Sequence, residues 1–107
     1  MIEQIDGQAF DARVRKSQRP TVVDFFGQQC QPCKKLLPIL EEIAPSFAGK
    51  ADFVKVDVET AEEVAVDLGV FSVPTLVFFK GGKAVDKITG VPAKATLLTR
   101  LTELTKT

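Results

Sequence analysis

The segment Thr21-Val22-Val23-Asp24-Phe25-Phe26 constrains this chain more than any other. All of it but Asp24 is β-branched or aromatic, the residue types that suit a pleated strand. Its apolar positions run continuously instead of alternating, so such a strand is expected to be covered on both faces. Cover on both faces requires helices on either side of a sheet, which selects the α/β class. Asp24 is the exception, because a carboxylate buried inside an apolar strand is expensive unless it has a partner or a task.

The rest of the chain alternates in the same way. Residues 2–5 form a weak strand candidate. Asp6 is expected to cap a short helix through about Lys16, with Phe10 and Val14 four apart on one face. Arg19-Pro20 punctuates before the apolar strand. A long helix is then predicted over residues 32–48, with Leu36, Leu40, Ile43 and Phe47 on its inner face and Gly49 as the stop. Pro38 removes a hydrogen bond to the carbonyl of Lys34 and is expected to kink the axis, and Pro45 to distort the last turn.

Residues 51–58 read as the next strand, carrying Phe53, Val54 and Val56. Thr60-Ala61-Glu62-Glu63 has the pattern of a capping box for a short helix ending at Gly69. Residues 75–79 are strand-like, and Lys80-Gly81-Gly82-Lys83 is a two-glycine hairpin signal into residues 84–89. A final amphipathic helix begins near Pro92 with Leu97, Leu98, Leu101 and Leu104 inward. The order β-α-β-α-β-α-β-β-α predicts a mixed sheet of about five strands flanked by about four helices. One domain over residues 1–107 is expected.

Chemistry is concentrated just after the apolar strand, in Cys30-Gln31-Pro32-Cys33, which holds the only two cysteines of the chain. Thiols at this spacing can form and break a disulfide within one helical turn, and a helix N-terminus beside them favours the thiolate. Other readings of the pair remain: a metal bridged between two copies, or a structural disulfide closing a loop too short to restrict the unfolded chain much. Histidine is absent, which removes the commonest nitrogen ligand for a metal. The balanced charge, with 14 basic and 14 acidic residues, gives no footprint for nucleic acid. The N-terminus lacks a basic run followed by an apolar stretch, and no segment reaches membrane-spanning length. A cytoplasmic protein with no membrane partner is therefore expected, and in a reducing compartment paired cysteines favour catalysis or metal binding over bracing.

The chain resembles the thioredoxin family over essentially its whole length. The resemblance is carried by Val22-Val23-Asp24-Phe25-Phe26, Cys30-Gln31-Pro32-Cys33-Lys34, Pro38 and Phe53-Val54-Lys55-Val56-Asp57. Further along come Val70-Phe71-Ser72-Val73-Pro74-Thr75-Leu76, Lys80-Gly81-Gly82 and Gly90. It implies the thioredoxin fold and a protein-disulfide reductase, with Cys30 as nucleophile and Cys33 as the resolving thiol. It also implies that Asp24 is a buried acid that helps deprotonate Cys33 through water, with Lys55 beside it. Pro74 is implied to be a cis-proline opposite the cysteines, freeing the backbone of Val73 to pair with an extended client, while Thr75, Gly90 and Val91 complete the groove. Without the resemblance, the lesser reading of Asp24 is a carboxylate facing water at a strand end, Lys55 reads as a solvated strand residue, Pro74 as an ordinary edge proline and Gly90 equally as a plain turn.

Two departures stand out. Members typically have tryptophan before the first cysteine and glycine after it, where this chain has Gln29 and Gln31. With Pro32, these residues form the expected client-facing surface around Cys30, and they replace a large apolar contact by neutral amides. The implied partners are disulfide-containing client proteins and a thioredoxin-reductase-like electron donor, with no bound cofactor, no metal and a monomeric state. A docking module that uses the same surface for one dedicated partner is the alternative reading.

Overall fold

The apolar run becomes the middle strand of a five-stranded mixed sheet in the computed structural model, which describes residues 1–106. The strands are β1 (Glu3–Gln4), β2 (Thr21–Phe26), β3 (Asp52–Asp57), β4 (Thr75–Lys80) and β5 (Lys83–Thr89), in the spatial order β1-β3-β2-β4-β5. β2 lies parallel to β3 and antiparallel to β4, so Asp24 stands opposite Lys55 on one side and Leu76 on the other. The helices are α1 (Gln31–Ile43), α2 (Glu62–Asp67) and α3 (Lys94–Leu104), with a π-helical turn over Asp11–Arg15 and a 3-10 turn over Ala44–Phe47.

Side chains of β2 divide between two cores, as the period of two requires. Val23 and Phe25 join Phe10, Val14, Val54, Val56 and Val64 on one face. Val22 joins Leu36, Leu40, Ile43, Leu97 and Leu101 on the other. Asp24 shares the parity of Val22 and therefore faces α1, the helix that begins at the cysteines.

Several local expectations are corrected. The helix expected over residues 32–48 is two elements, because α1 ends at Ile43 and a 3-10 turn follows. Pro45 explains the break: it has no N–H for an α-helical bond, and its ring clashes with the preceding turn. Pro38 lies inside α1, which continues past it.

The capping box does not form. Ala61 occupies the N-cap of α2 without a side-chain cap, while the Thr60 hydroxyl donates to the Asp57 carbonyl at 3.3 Å. That carbonyl also accepts the Thr60 and Ala61 amides, so the turn after β3 has already engaged the groups the box needed. Near the N-terminus Asp6 does cap a turn, accepting the Ala9 amide at 2.8 Å, but the following segment winds as a π-helix with Lys16 N–H on the Asp11 carbonyl.

The β4–β5 hairpin turns on Gly81 and Gly82, both with positive φ, at 62° and 80°. A Cβ on Gly82 would lie 2.0 Å from the Arg15 carbonyl oxygen, so this glycine is needed for close approach as well as for conformation. Among the described residues, no helix is long and apolar enough to cross a membrane.

Candidate active site

β2 delivers the chain to a short loop, Gly27-Gln28-Gln29, and Cys30 then serves as the N-cap of α1 with extended backbone (φ −109°, ψ 103°). Cys30 and Cys33 are joined as a disulfide with their Cα atoms 5.2 Å apart. The Cys33 amide donates to Cys30 Sγ at 3.2 Å, so the sulfur takes the capping role that a serine or aspartate oxygen usually fills. Pro32 sits in the first turn of α1, where its missing N–H has no intrahelical partner to lose. Both cysteines are buried to a similar degree, at 8% and 5% exposure. Gln29, Gln31 and Pro32 flank them in the chain and are exposed.

Behind the disulfide is a cavity of about 160 Å³ lined by Asp24, Phe26, Cys33, Leu37 and Lys55 among others. Asp24 is 2% exposed, and its Oδ1 atom has no hydrogen-bond partner. Burial pushes its carboxyl from the ordinary 3.8 up to about 6, against a smaller downward pull from the Lys55 ammonium. Lys55 Nζ also lies 5.6 Å from the centre of the Phe26 ring, a cation–π distance. A cavity of this size has room for water to bridge the carboxylate and a thiol.

The segment leading into β4 closes the other side. The Val73–Pro74 peptide is cis. A Cβ built on Gly27 would touch Val73 Cγ2 at 3.4 Å and Cys30 Cβ at 3.8 Å, which puts the cysteine loop directly against Val73. The Gly90 amide donates to the Pro74 carbonyl at 2.9 Å, bringing the end of β5 to the same place, and Val91 is exposed beyond it. Thr75 is buried, with its hydroxyl donated to the Ser72 carbonyl at 2.8 Å, so it braces this turn from within. The expected residues thus fall into an interior group of Cys33, Asp24 and Lys55 and an outer group around Cys30, Val73, Pro74 and Gly90.

Sequence reasoning missed Gln28 and Asp57 as parts of the site. Gln28 Nε2 donates to Asp57 Oδ2 at 2.6 Å, and the Glu59 amide donates to Asp57 Oδ1 at 2.8 Å. Asp57 is 2% exposed and ends β3 opposite Phe26, so this pair ties the loop before Cys30 to the end of the sheet. A signal was present: a carboxylate closing an apolar strand needs donors, and a neighbouring loop amide can supply one.

A disulfide spanning a single helical turn does little to restrict an unfolded chain. Its value lies in being opened and closed, and a fold that presents it on a helix N-terminus beside a cavity-facing acid defines the dithiol oxidoreductase class. A thioredoxin family profile matches residues 1–103. The chain is 42% identical over 96 residues to a thioredoxin of Mycobacterium bovis, covering 90% of this chain and 83% of that protein. It is 39% identical over 94 residues to thioredoxin 1 of a Nostoc species, covering 88% of each. It is also 39% identical over 101 residues to a bifunctional thioredoxin reductase/thioredoxin of Mycobacterium leprae, covering 94% of this chain but only 22% of that longer protein. The chain belongs to the thioredoxin family, and its activity is that of a thiol–disulfide oxidoreductase.

Proposed function

We propose that the protein reduces disulfides of client proteins, with Cys30 as nucleophile and Cys33 as resolving thiol. The observation that carries this reading is the Cys33 amide aimed at Cys30 Sγ, since an N–H in that position stabilises negative charge on the sulfur once the disulfide opens. Cys30 thiolate attacks one sulfur of the client disulfide, forming a mixed disulfide and releasing the first client thiolate. Cys33 thiolate then attacks Cys30 Sγ, restoring the Cys30–Cys33 bond and releasing the second. Two electrons pass to the client, and its two thiolates take up protons.

Cys33 must lose its proton before the second attack. Asp24 lines the same cavity, and a carboxyl at about 6 is matched to accept a proton near neutral pH through an intervening water. Lys55 holds that carboxylate within reach of neutral pH by opposing the effect of burial. An extended client segment pairs with the backbone of Val73 beside Pro74, and Gln29, Gln31, Pro32, Gly90 and Val91 form the surface around it, with Thr75 supporting the turn.

The oxidised protein is reset by an external electron donor of the thioredoxin-reductase type. The name of the Mycobacterium leprae relative, which couples a reductase to a thioredoxin in one chain, supports that choice. We infer a single domain over residues 1–107 that works as a cytoplasmic monomer without a bound cofactor or metal. The roles of the cysteines are tested by trapping. Cys33→Ser is expected to accumulate covalent client adducts and Cys30→Ser to form none; equal trapping by both variants contradicts the assignment.

A further inference from the structure

An apolar groove continues outward from the exchange site, between α2 and the segment that enters β4. Val58, Val66, Val70, Phe71, Val73 and Glu62 line it, enclosing about 260 Å³. Phe71 is 84% exposed and Val66 is 57% exposed. Among the described residues Phe71 is the one exposed aromatic side chain. The groove is continuous with the exchange site, because Val73 at its inner end packs against Gly27 and the Cys30 loop. Cys30 itself is flanked in the chain by the exposed amides Gln29 and Gln31, neither of which offers a client an aromatic contact.

The carboxylates around this groove gather on its α2 side. Glu62, Glu63 and Asp67 line an adjoining hollow with Val66, and Glu59 precedes them, all exposed. None of these acids forms an ion pair among the described residues, whereas Glu3, Asp11, Glu42, Asp52, Asp86 and Glu103 elsewhere each pair with a lysine or arginine. Lys87, which approaches Phe71, donates to the Gly69 carbonyl at 3.1 Å but keeps its positive charge, so a client cation is favoured only on the α2 side of the groove. An aromatic anchor bordered by uncommitted carboxylates complements an apolar side chain next to a cation.

We propose that this groove selects clients, binding an extended segment in which an apolar residue followed by lysine or arginine stands a few residues from the reactive cysteine. The apolar side chain lies on Val66 and Phe71, and the cation meets Glu62 and its acidic neighbours. The proposal rests on the exchange reading above, because the segment is held so that its disulfide reaches Cys30.

The test uses the full chain, reduced with dithiothreitol and desalted, against three disulfide substrates. Two are peptides identical except for Leu-Lys or Leu-Glu a few residues from the cysteine, and the third is hydroxyethyl disulfide. The native protein should reduce the Leu-Lys peptide roughly tenfold faster than the Leu-Glu peptide at low salt, with the ratio shrinking as salt rises. Glu62→Lys should shrink the ratio at low salt. Phe71→Ala should slow both peptides roughly three- to tenfold and leave hydroxyethyl disulfide unaffected. Equal peptide rates, or a Phe71→Ala loss shared by the small disulfide, overturn the groove while leaving exchange intact. Failure to reduce any of the three overturns both readings.

Discussion

Asp24 and Asp57 are both 2% exposed and both belong to central strands of one sheet, yet they are held in opposite ways. Asp57 accepts from Gln28 Nε2 and from the Glu59 amide, one donor on each oxygen. Asp24 has an orphaned Oδ1, an apolar cavity wall and a lysine charge instead of a hydrogen-bond donor at that atom. Burial alone therefore does not mark a working acid. A satisfied carboxylate builds the site by fixing a loop, and an unsatisfied one remains available to take a proton.

The contrast is most open to attack at Asp24. Its folded-state value near 6 lies above the ordinary 3.8, so the folded protein holds this proton more tightly than the unfolded chain does. Stability from this group is greatest below pH 4 and is lost as pH rises through about 6. At 1.36 kcal/mol per pKa unit, the loss above that pH is about 3 kcal/mol. Asp24→Asn is expected to raise stability by about that amount at pH 8, with native and variant converging near pH 4, as checked by urea unfolding across pH. A pH-independent difference would show that desolvated charge is not the cause.

Asp57→Ala should do the reverse and destabilise by about 2 kcal/mol, since it removes two charge-assisted hydrogen bonds and leaves their donors unpaired. Denaturant midpoints decide this, and a stabilised variant would erase the distinction between the two acids. Gln28→Ala should cost about 1 kcal/mol, because Gln28 is exposed and water replaces part of its bond. Lys55→Gln is the finest probe. Removing the ammonium should move the Asp24 midpoint upward in a carboxyl-carbon NMR titration. A downward move would contradict the Lys55 assignment.

Much of this was legible in the residues. The continuous run Thr21–Phe26 announced a doubly covered strand, the adjacent glycines fixed the hairpin, and the cysteine spacing after a strand placed exchange chemistry at a helix start. Asp24 stood out because its cost in an apolar strand is local information. The missing parts depended on competition between neighbours. Thr60 and Glu63 have the capping-box pattern, but Asp57 engages the turn first. Gln28 and Asp57 are 29 residues apart, and only strand register shows that the loop and the strand end meet. The groove at Phe71 was likewise hidden, since sequence does not say that α2 and the β4 entry leave that ring uncovered.

The proposed division of labour has Asp24 accept the Cys33 proton while Asp57 holds the loop. It is tested most directly by stopped-flow measurement of the second thiol released when reduced protein meets an excess of an aryl disulfide, from pH 5 to 9. The native rate should bend near pH 6, and Asp24→Asn should lose that bend and run roughly tenfold or more slower at pH 7. Superimposable profiles for the native protein and Asp24→Asn would contradict the account.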